Sequence, residues 1–318
     1  MKKFIAKVLF LTALCCCLLL AFNIFIIGNQ FSHTYTAALL DKIDRLESID
    51  QPKIILTGHS ALAFGICSEM MEEELGMPVV NLGLHGALGN AFHERVAKLC
   101  INPGDIVVLS HSDYSSDNDA VDDPVLAWTA VDTHFDMLRL YGIWDVGKLL
   151  SAYPTYFRDA YTRFKDGVGQ EIPENTAYSR YSFNKYGDIV IKPEDIRMNP
   201  DVFFAENPVT LSEISPACVR RIEKLNNYVT RQGASLVIAG YPIAYGKYAE
   251  FTEADVKAFE SALREAMPCD VISDYTDYLF PYSMFYDTTL HLIQEGAEIR
   301  TAQLIQDLKQ WQAASAAP

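Results

Sequence analysis

The chain has 318 residues, of which half are apolar and 12% are aromatic, so it has enough apolar material for a packed interior and lacks the composition of a disordered protein. Its 41 acidic residues outnumber its 26 Lys and Arg residues and give a net charge of −15, which disfavours nucleic acid and anionic lipid surfaces as partners. The length exceeds that of an average domain, but one α/β domain with a long insertion would accommodate it.

An apolar run opens the chain. Phe4–Ile27 contains 24 residues with Lys7 as its only charge, and at ~1.5 Å per helical residue it is long enough to span a hydrocarbon layer of ~30 Å. Three lysines lie at its amino-terminal side and no Lys or Arg follows before Lys42, which predicts a cytoplasmic amino terminus. We therefore expect residues 1–28 to be a single-pass membrane anchor and the rest of the chain to lie outside the cytoplasm.

Two other interpretations of this segment are weaker. A cleaved signal peptide has a shorter apolar core of roughly 7–15 residues and a small-x-small cleavage site, and neither is present. The cysteines Cys15–Cys17 are reminiscent of a lipoprotein, but Leu14 stands where a small residue would be needed and apolar residues continue beyond. An uncleaved anchor is the favoured interpretation.

Four cysteines follow the anchor, and their wide spacing excludes a CxxC metal or redox motif: Cys67, Cys100, Cys218 and Cys269. A disulfide framework would be unusual in a domain with this much core, so a bridge is allowed but none is required.

The pattern of residues 29–52 predicts a short helical stalk. Strand-like runs recur after it. Each run is short, rich in β-branched residues and almost unalternated, as in strands that are buried on both faces of a parallel sheet. The predicted strands are Lys53–Gly58, Pro78–Gly83, Asp105–Ser110, Ala234–Pro242 and Cys269–Asp274.

Helical patterns separate these strands. The predicted helices are Ala61–Leu75, Gly89–Cys100, Pro216–Gln232, Glu253–Ala266 and Gln294–Trp311. The order βαβαβ, an interruption, and then αβαβα predicts a flavodoxin-like three-layer α/β/α domain over residues 53–318, with an insertion at about 113–215. We expect the insertion to cover the carboxyl edge of the sheet, where such sheets bind ligands.

The last predicted helix has an apolar stripe. The residues near helical spacing are Ile293, Ala297, Ile299, Leu304, Ile305 and Leu308. We expect this face to pack on the sheet and to hold the loop that precedes the helix.

The insertion is rich in aromatic residues. They could stack on sugar rings, although packing in a small core of their own is the more frequent role of such residues. The candidates are Trp128, Trp144, Tyr153, Tyr156 and Tyr161.

Polar and glycine residues follow the first two strands. Ser60 stands in "GHS" at a strand-to-helix turn, where a hydroxyl could act as a nucleophile beside helix N–H groups that stabilise an oxyanion. The simpler alternative is that Ser60 is only an N-cap. "NLGLHGALG" ends the second strand and places Gly86 at the same edge of the sheet as Ser60. This glycine-rich stretch matches neither the GxGxxG nor the Walker pattern of phosphate-binding loops.

A histidine and an acid precede the last helix in "FYDTTLH". In a parallel sheet, the loop after the last strand shares an edge with the loop after the first, so His291 should meet Ser60. Histidine is the base that a hydroxyl nucleophile needs, and a carboxylate such as Asp287 can fix its tautomer.

In their order along the chain, these blocks resemble those of the SGNH, or GDSL-like, hydrolases. The resemblance implies Ser60 as nucleophile, His291 as base, Asp287 as acid, and an oxyanion hole formed by Ser60, Gly86 and Ser112. In "LSHSD", Ser112 occupies the position of the family's asparagine. The acid and the histidine lie four residues apart instead of three, so another acid, with Asp274 and Asp277 the nearest, stays open.

A narrower resemblance rests on the anchor, "GHSALAFGI", "YSRYSFNKYGD" (Tyr178–Asp188) and "DTTLHLIQEGAEIRTAQLIQDL". Together they are similar to membrane-anchored bacterial SGNH-like proteins that accompany membrane-bound O-acyltransferases. This resemblance implies an esterase or O-acyltransferase acting on acyl groups, with acetyl as the first expectation, of an envelope polysaccharide or teichoic-type polymer, with no cofactor. A non-catalytic scaffold that binds the polymer or an acyltransferase is the alternative.

Further histidines lie near the predicted site. His59 could tune Ser60, although a hydrogen bond at the start of the helix is the simpler role. His85, His111 and Asp113 fall at the same sheet edge, but their spacing matches no recognised metal motif, so no metal site is predicted.

Overall fold

The computed structural model describes residues 1–316. Its strands are β1 (Ile54–Thr57), β2 (Val79–Asn81), β3 (Ile106–Leu109), β4 (Ser235–Ile238), β5 (Ile243–Tyr245), β6 (Asp270–Val271) and β7 (Leu279–Pro281). Five of them form a parallel sheet in the order β2-β1-β3-β4-β6, while β5 and β7 pair separately. Counted within the large sheet, this is the flavodoxin-like order 2-1-3-4-5, so the predicted fold class is confirmed.

The strands are joined mainly by helices. These are α1 (Lys2–Phe22), α2 (Ala38–Ser48), α3 (Ser60–Gly65), α4 (Ser68–Leu75), α5 (Asn90–Ala97), α6 (Pro124–Val131), α7 (Val146–Asp166), α8 (Pro200–Glu206), α9 (Pro216–Arg231), α10 (Glu253–Ala266) and α11 (Gln294–Ala316). The sequence did not predict β5 and β7, because three-residue strands have too little pattern to be recognised.

Alternate residues of the strands pack on opposite faces of the sheet. Ile54 and Leu56 of β1 belong to an apolar cluster with α3, α4 and α11, whereas Ile55 belongs to a second cluster that includes residues of α5, α9 and α10. Because both faces are covered, every residue of β1 and β3 is buried, which accounts for their unalternated sequence.

The helix predicted as Ala61–Leu75 is two helices, and the break has a physical cause. Ile66 is extended, the N–H of Cys67 donates to the Thr301 hydroxyl at 2.9 Å, and the N–H of Ser68 donates to an Asp188 carboxylate oxygen at 2.8 Å. These side-chain acceptors take the place of helix carbonyls, and local periodicity cannot reveal them because they lie far away in the sequence.

The prediction for α11 was right for most of its apolar face and wrong for Ile299. Ala297, Leu304 and Leu308 are buried against the domain, but Ile299 is 49% exposed. Ile299 follows Ala297 by two residues, which places its side chain about 200° around the helix and therefore on the solvent face.

Before the α/β domain, Lys2–Ile27 forms a helix that is long and apolar enough to cross a membrane. Helix α2 lies in the segment predicted as a stalk and packs against the domain, with Leu39, Ile43 and Leu46 buried. The Lys42 ammonium of α2 donates to the carbonyl oxygens of Asn81 and Gly187 at 2.8 and 2.6 Å, which ties the helix to β2 and to the insertion.

Within residues 113–215, the structure contains helices α6, α7 and α8 and several short 3₁₀ turns. The aromatic residues of this insertion divide into two groups. Trp128 stacks on Tyr156 and contacts Tyr153 edge-on, and these rings belong to the same apolar cluster as Ile55 of the sheet and not to a separate small core. Trp144 and Tyr161 are exposed, at 89% and 45%.

Candidate active site

Ser60 lies where β1 turns into α3. The turn needs Gly58, because a Cβ there would lie 2.5 Å from the Ser110 carbonyl oxygen. The N-cap of α3 is His59, whose Nδ1 accepts a long hydrogen bond of 3.5 Å from the Ala61 N–H. The alternative that Ser60 is the N-cap is therefore wrong, and its hydroxyl is available for another partner.

His291 is held by the loop that precedes α11. An antiparallel bridge joins Phe285 to Leu292, and the N–H of His291 donates to the Thr288 hydroxyl at 3.1 Å. The ring stacks face to face on Phe64, with centroids 3.9 Å apart and planes inclined by 3°. Backbone and stacking contacts thus fix the imidazole, which is buried with 5% of its surface exposed.

A chain of contacts joins the predicted serine, histidine and acid. His291 Nε2 lies 2.8 Å from Ser60 Oγ, and His291 Nδ1 lies 2.7 Å from Asp287 Oδ1. The two acids that stayed open lie elsewhere, because Asp274 accepts a bond from the Thr276 N–H and Asp277 accepts one from Gln303. Asp287 therefore reaches the histidine despite its four-residue spacing.

Tyr178 is a member of the site that the sequence did not assign. Its hydroxyl donates to Asp287 Oδ2 at 2.5 Å and lies 3.4 Å from His291 Nδ1. Burial, followed by the hydrogen bond to Asp287, raises the pKa of Tyr178 above its usual value, so it stays a neutral donor. Tyr178 belongs to the insertion, so this part of it reaches the carboxyl edge of the sheet.

Gly86 lies beside the turn that carries Ser60. A parallel bridge between His59 and Leu84 aligns the two loops, and Gly86 begins the 3₁₀ turn Gly86–Leu88. A Cβ at Gly86 would lie 3.6 Å from the Cβ of His59. The first N–H groups of a helical turn have no acceptor within the turn, so this glycine is suited to donate to a ligand.

Ser112 forms a second serine–histidine contact at the same edge. Its Oγ lies 2.8 Å from His59 Nε2, and its backbone nitrogen lies 3.2 Å from the same ring nitrogen. Burial, and then the neighbouring His111, hold the pKa of His59 well below its usual value. The structure thus gives His59 a partner in Ser112 that was not predicted.

The comparisons with known proteins give only a remote likeness. No family profile and no curated protein matches this chain. Among solved structures, protein YxiM of Bacillus subtilis aligns with 83% of this chain at 13% sequence identity and a TM-score of 0.36. The aligned region covers 57% of YxiM, so this chain spans little more than half of that protein.

The histidines and the acid considered for a metal site have separate partners. His111 Nε2 lies 3.2 Å from Glu94 Oε1, His85 Nδ1 accepts from the Ala87 N–H, and Asp113 accepts from the Ser115 N–H. Within residues 1–316, no group of three or more His, Cys, Asp or Glu side chains is arranged to hold a metal ion. All seven cysteines lie in this range and are free thiols.

Proposed function

We propose that the protein is a serine esterase or O-acyltransferase. The observation that carries this proposal is the contact chain from Ser60 Oγ through the ring of His291 to Asp287 Oδ1. A hydroxyl, an imidazole and a carboxylate in this order are the elements of nucleophilic acyl transfer. The resemblance of the sequence blocks to SGNH hydrolases supports the same chemistry.

In the proposed reaction, Ser60 Oγ attacks the ester carbonyl while His291 Nε2 accepts the hydroxyl proton. The bond to the leaving alcohol breaks, His291 returns the proton to that alcohol, and the acyl group remains on Ser60. The N–H groups of Ser60 and Gly86 hold the oxyanion, with the Ser112 hydroxyl as a third donor. Water then releases a free acid, or a sugar hydroxyl receives the acyl group.

The proposed substrate is an acyl ester, acetyl in the first instance, on a cell-envelope polysaccharide or teichoic-type polymer. The support is the narrower resemblance together with the apolar helix Lys2–Ile27, which would hold the domain at a membrane surface. A membrane-bound O-acyltransferase is the proposed partner.

With the amino terminus in the cytoplasm, a carboxyl-terminal alkaline phosphatase fusion should be active in a bacterial host, and a stable but inactive fusion would contradict this orientation.

An organophosphonate serine probe tests the nucleophile. Wild-type full-length protein in neutral detergent should be labelled, and Ser60→Ala should not be, while Ser112→Ala should retain the label. If no condition labels the folded wild type, the non-catalytic scaffold becomes the better interpretation.

The fate of the acyl group requires a second experiment. The full-length protein is incubated with an O-acetylated envelope polymer and an excess of unacetylated acceptor. Acetate release would indicate hydrolysis, and a mass increase of the acceptor would indicate transfer. If the protein binds such polymers but forms neither product from any of them, an acyl-transfer function is contradicted.

A further inference from the structure

A cavity of about 540 Å³ lies between α2 and residues 180–187 of the insertion. This size falls in the range of small-molecule sites, which is ~300–1,000 Å³. Four of its lining residues are cationic and one is a carboxylate: Lys42, Arg45, Arg180, Lys185 and Asp41. The protein as a whole carries a net charge of −15, so this cavity has the opposite charge balance to the rest of the molecule.

Not all of these charges are neutralised by neighbours. Arg180 forms a two-point ion pair with Asp41, and Arg45 contacts Glu72 at 3.3 Å. Lys42 and Lys185 have no ion-pair partner among the described residues. Burial lowers the pKa of Lys42 to about 7, so the surplus of positive charge in the cavity rests on Lys185 and in part on Lys42, and it favours an anionic ligand.

Lys42 is already fixed in place. It is 97% buried, its ammonium donates to two backbone carbonyls, and the centroid of the Phe183 ring lies 4.4 Å from it. Such a group is positioned before any ligand arrives, so little side-chain entropy would be lost on binding.

Aromatic rings line the same cavity. Tyr186 contacts two cations: the Arg45 guanidinium lies 4.5 Å and the Lys185 ammonium 4.8 Å from the centroid of its ring. Tyr181 is 48% exposed, and its hydroxyl contacts His33 at 2.7 Å. A rigid, half-exposed ring beside cations can pack against the apolar face of a sugar whose substituent is charged.

The cavity and the candidate active site are connected by packed rings. Phe183 lines the cavity and contacts Tyr35 at 5.0 Å between centroids, and Tyr35 contacts Tyr178 at 5.7 Å. The hydroxyl of Tyr178 bonds to Asp287. These packed rings place the cavity and the candidate active site in neighbouring parts of the same domain.

We propose that this cavity binds an anionic saccharide unit, a sugar or polyol that carries a phosphate or a carboxylate, of the polymer whose esters are handled at Ser60. The proposal rests on the proposed function for the identity of the polymer. It adds a binding site whose lining does not include Ser60, His291 or Asp287, and a charge requirement on the substrate.

Binding can be measured on the full-length Ser60→Ala protein in neutral detergent, so that the result does not depend on catalysis. The probes are glucose 6-phosphate, glucuronate, glucose and inorganic phosphate. Glucose 6-phosphate or glucuronate should bind at least about tenfold more tightly than glucose, and glucose 6-phosphate more tightly than inorganic phosphate. The affinity should fall as salt is added.

A matched pair of lysine variants tests the location. Lys185 lies 4.8 Å above the ring of Tyr186, and Lys247 lies 4.5 Å above the ring of Tyr248 but outside the cavity. Lys185→Glu should weaken binding of the charged sugar about tenfold, a change of ~1.4 kcal/mol. Lys247→Glu should leave it within about twofold.

A third variant tests the aromatic contribution. Tyr181→Ala should weaken glucose 6-phosphate severalfold and inorganic phosphate hardly at all. Circular dichroism and the unfolding midpoint of each variant show whether it is folded.

Several outcomes would overturn the proposal. These are no binding of either charged sugar, equal losses in the two lysine variants, and inorganic phosphate binding as tightly as glucose 6-phosphate. Dihexanoyl phosphatidylglycerol, kept below its micelle concentration, is the lipid probe; if it alone binds through Lys185, the cavity is a lipid-headgroup site. Serine-probe labelling of the wild type is a separate measurement, so failure of this proposal and failure of the proposed function can be told apart.

Discussion

Two serine–histidine pairs lie at the carboxyl edge of the sheet, and they differ in what holds the histidine. In the first pair, Ser60 contacts His291, whose other ring nitrogen contacts Asp287 at 2.7 Å. In the second pair, Ser112 contacts His59, whose other nitrogen accepts a long hydrogen bond of 3.5 Å from the Ala61 N–H. Both contacts are 2.8 Å long, so distance alone does not distinguish a base from a structural histidine.

The carboxylate makes the chemical difference. Asp287 accepts a hydrogen bond from the Nδ1–H of His291, which leaves Nε2 free to take the serine proton, and its charge stabilises the imidazolium that forms. Among residues 1–316, His59 has no carboxylate partner, and burial disfavours its protonated form. Both rings are 5% exposed, so the difference lies in their partners and not in their burial. We infer that the second pair positions Ser112 and does not create a second nucleophile.

The largest expected effect separates the two histidines. His291→Gln should reduce the rate of ester cleavage by about 10⁴–10⁶-fold, because glutamine cannot act as the base. The matched His59→Gln should cost no more than about 10³-fold, the upper end of the loss expected when an oxyanion donor is misplaced. Steady-state rates with a small acyl ester measure both. Equal losses in two folded variants would remove the distinction between the pairs.

The next largest effect concerns the carboxylate. Asp287→Asn should lower kcat by about 10³–10⁴-fold, because an amide can hold the histidine in the wrong tautomer and cannot stabilise its charge. Asp277→Asn is the matched control, since Asp277 contacts Gln303 and not the histidine. Rates and serine-probe labelling should both follow this order. A fully active Asp287→Asn would show that the contact with His291 Nδ1 is not needed.

We expect His93, a buried histidine near His59, to make the folded protein less stable in acid. His93 is buried, its Nε2 lies 3.2 Å from the His85 carbonyl oxygen, and its Nδ1 has no partner among the described residues. Burial, and then His111, lower the pKa of His93 to about 3. The unfolded chain therefore binds more protons between about pH 6.5 and pH 3, and stability falls as the pH decreases through this window.

From His93 alone we expect the free energy of unfolding to fall by about 2 kcal/mol between pH 7 and pH 5. Urea unfolding at several pH values should show a shallower acid slope in His93→Gln than in the wild type. His134→Gln, which alters a half-buried ring in the insertion, is the control and should keep the wild-type slope. An unchanged slope in His93→Gln would contradict a neutral buried His93.

Much of this arrangement was predictable because of how a parallel sheet is built. Unalternated strands indicate burial on both faces, and the loops after the first and last strands must share an edge, which brings Ser60 and His291 together. The sequence also placed Asp287 close to His291. Its catalytic role, like those of Ser60 and His291, remains a prediction that only rates can test.

Other parts depended on contacts between distant segments. Thr301 and Asp188 split the helix after Ser60, and Tyr178 reaches Asp287 from an insertion that has no periodic pattern. Nothing in the spacing of these residues specifies those contacts. The ring of Phe64 lies four positions after Ser60, one helical turn, so its stacking on His291 follows only once α3 is known to begin at Ser60.

The smallest expected effect belongs to Tyr178, whose hydroxyl bonds to the carboxylate oxygen that His291 does not use. Tyr178→Phe should lower kcat about fivefold with little change in KM, because Asp287 loses one of the bonds that orient it while water can partly replace the hydroxyl. Tyr181→Phe is the matched control: Tyr181 lies in the same segment and its hydroxyl contacts His33. A double-mutant cycle shows whether Tyr178 acts through Asp287. In the Asp287→Asn background, Tyr178→Phe should have almost no further effect on kcat, whereas a general loosening of the insertion would lower the rate by the same factor in both backgrounds.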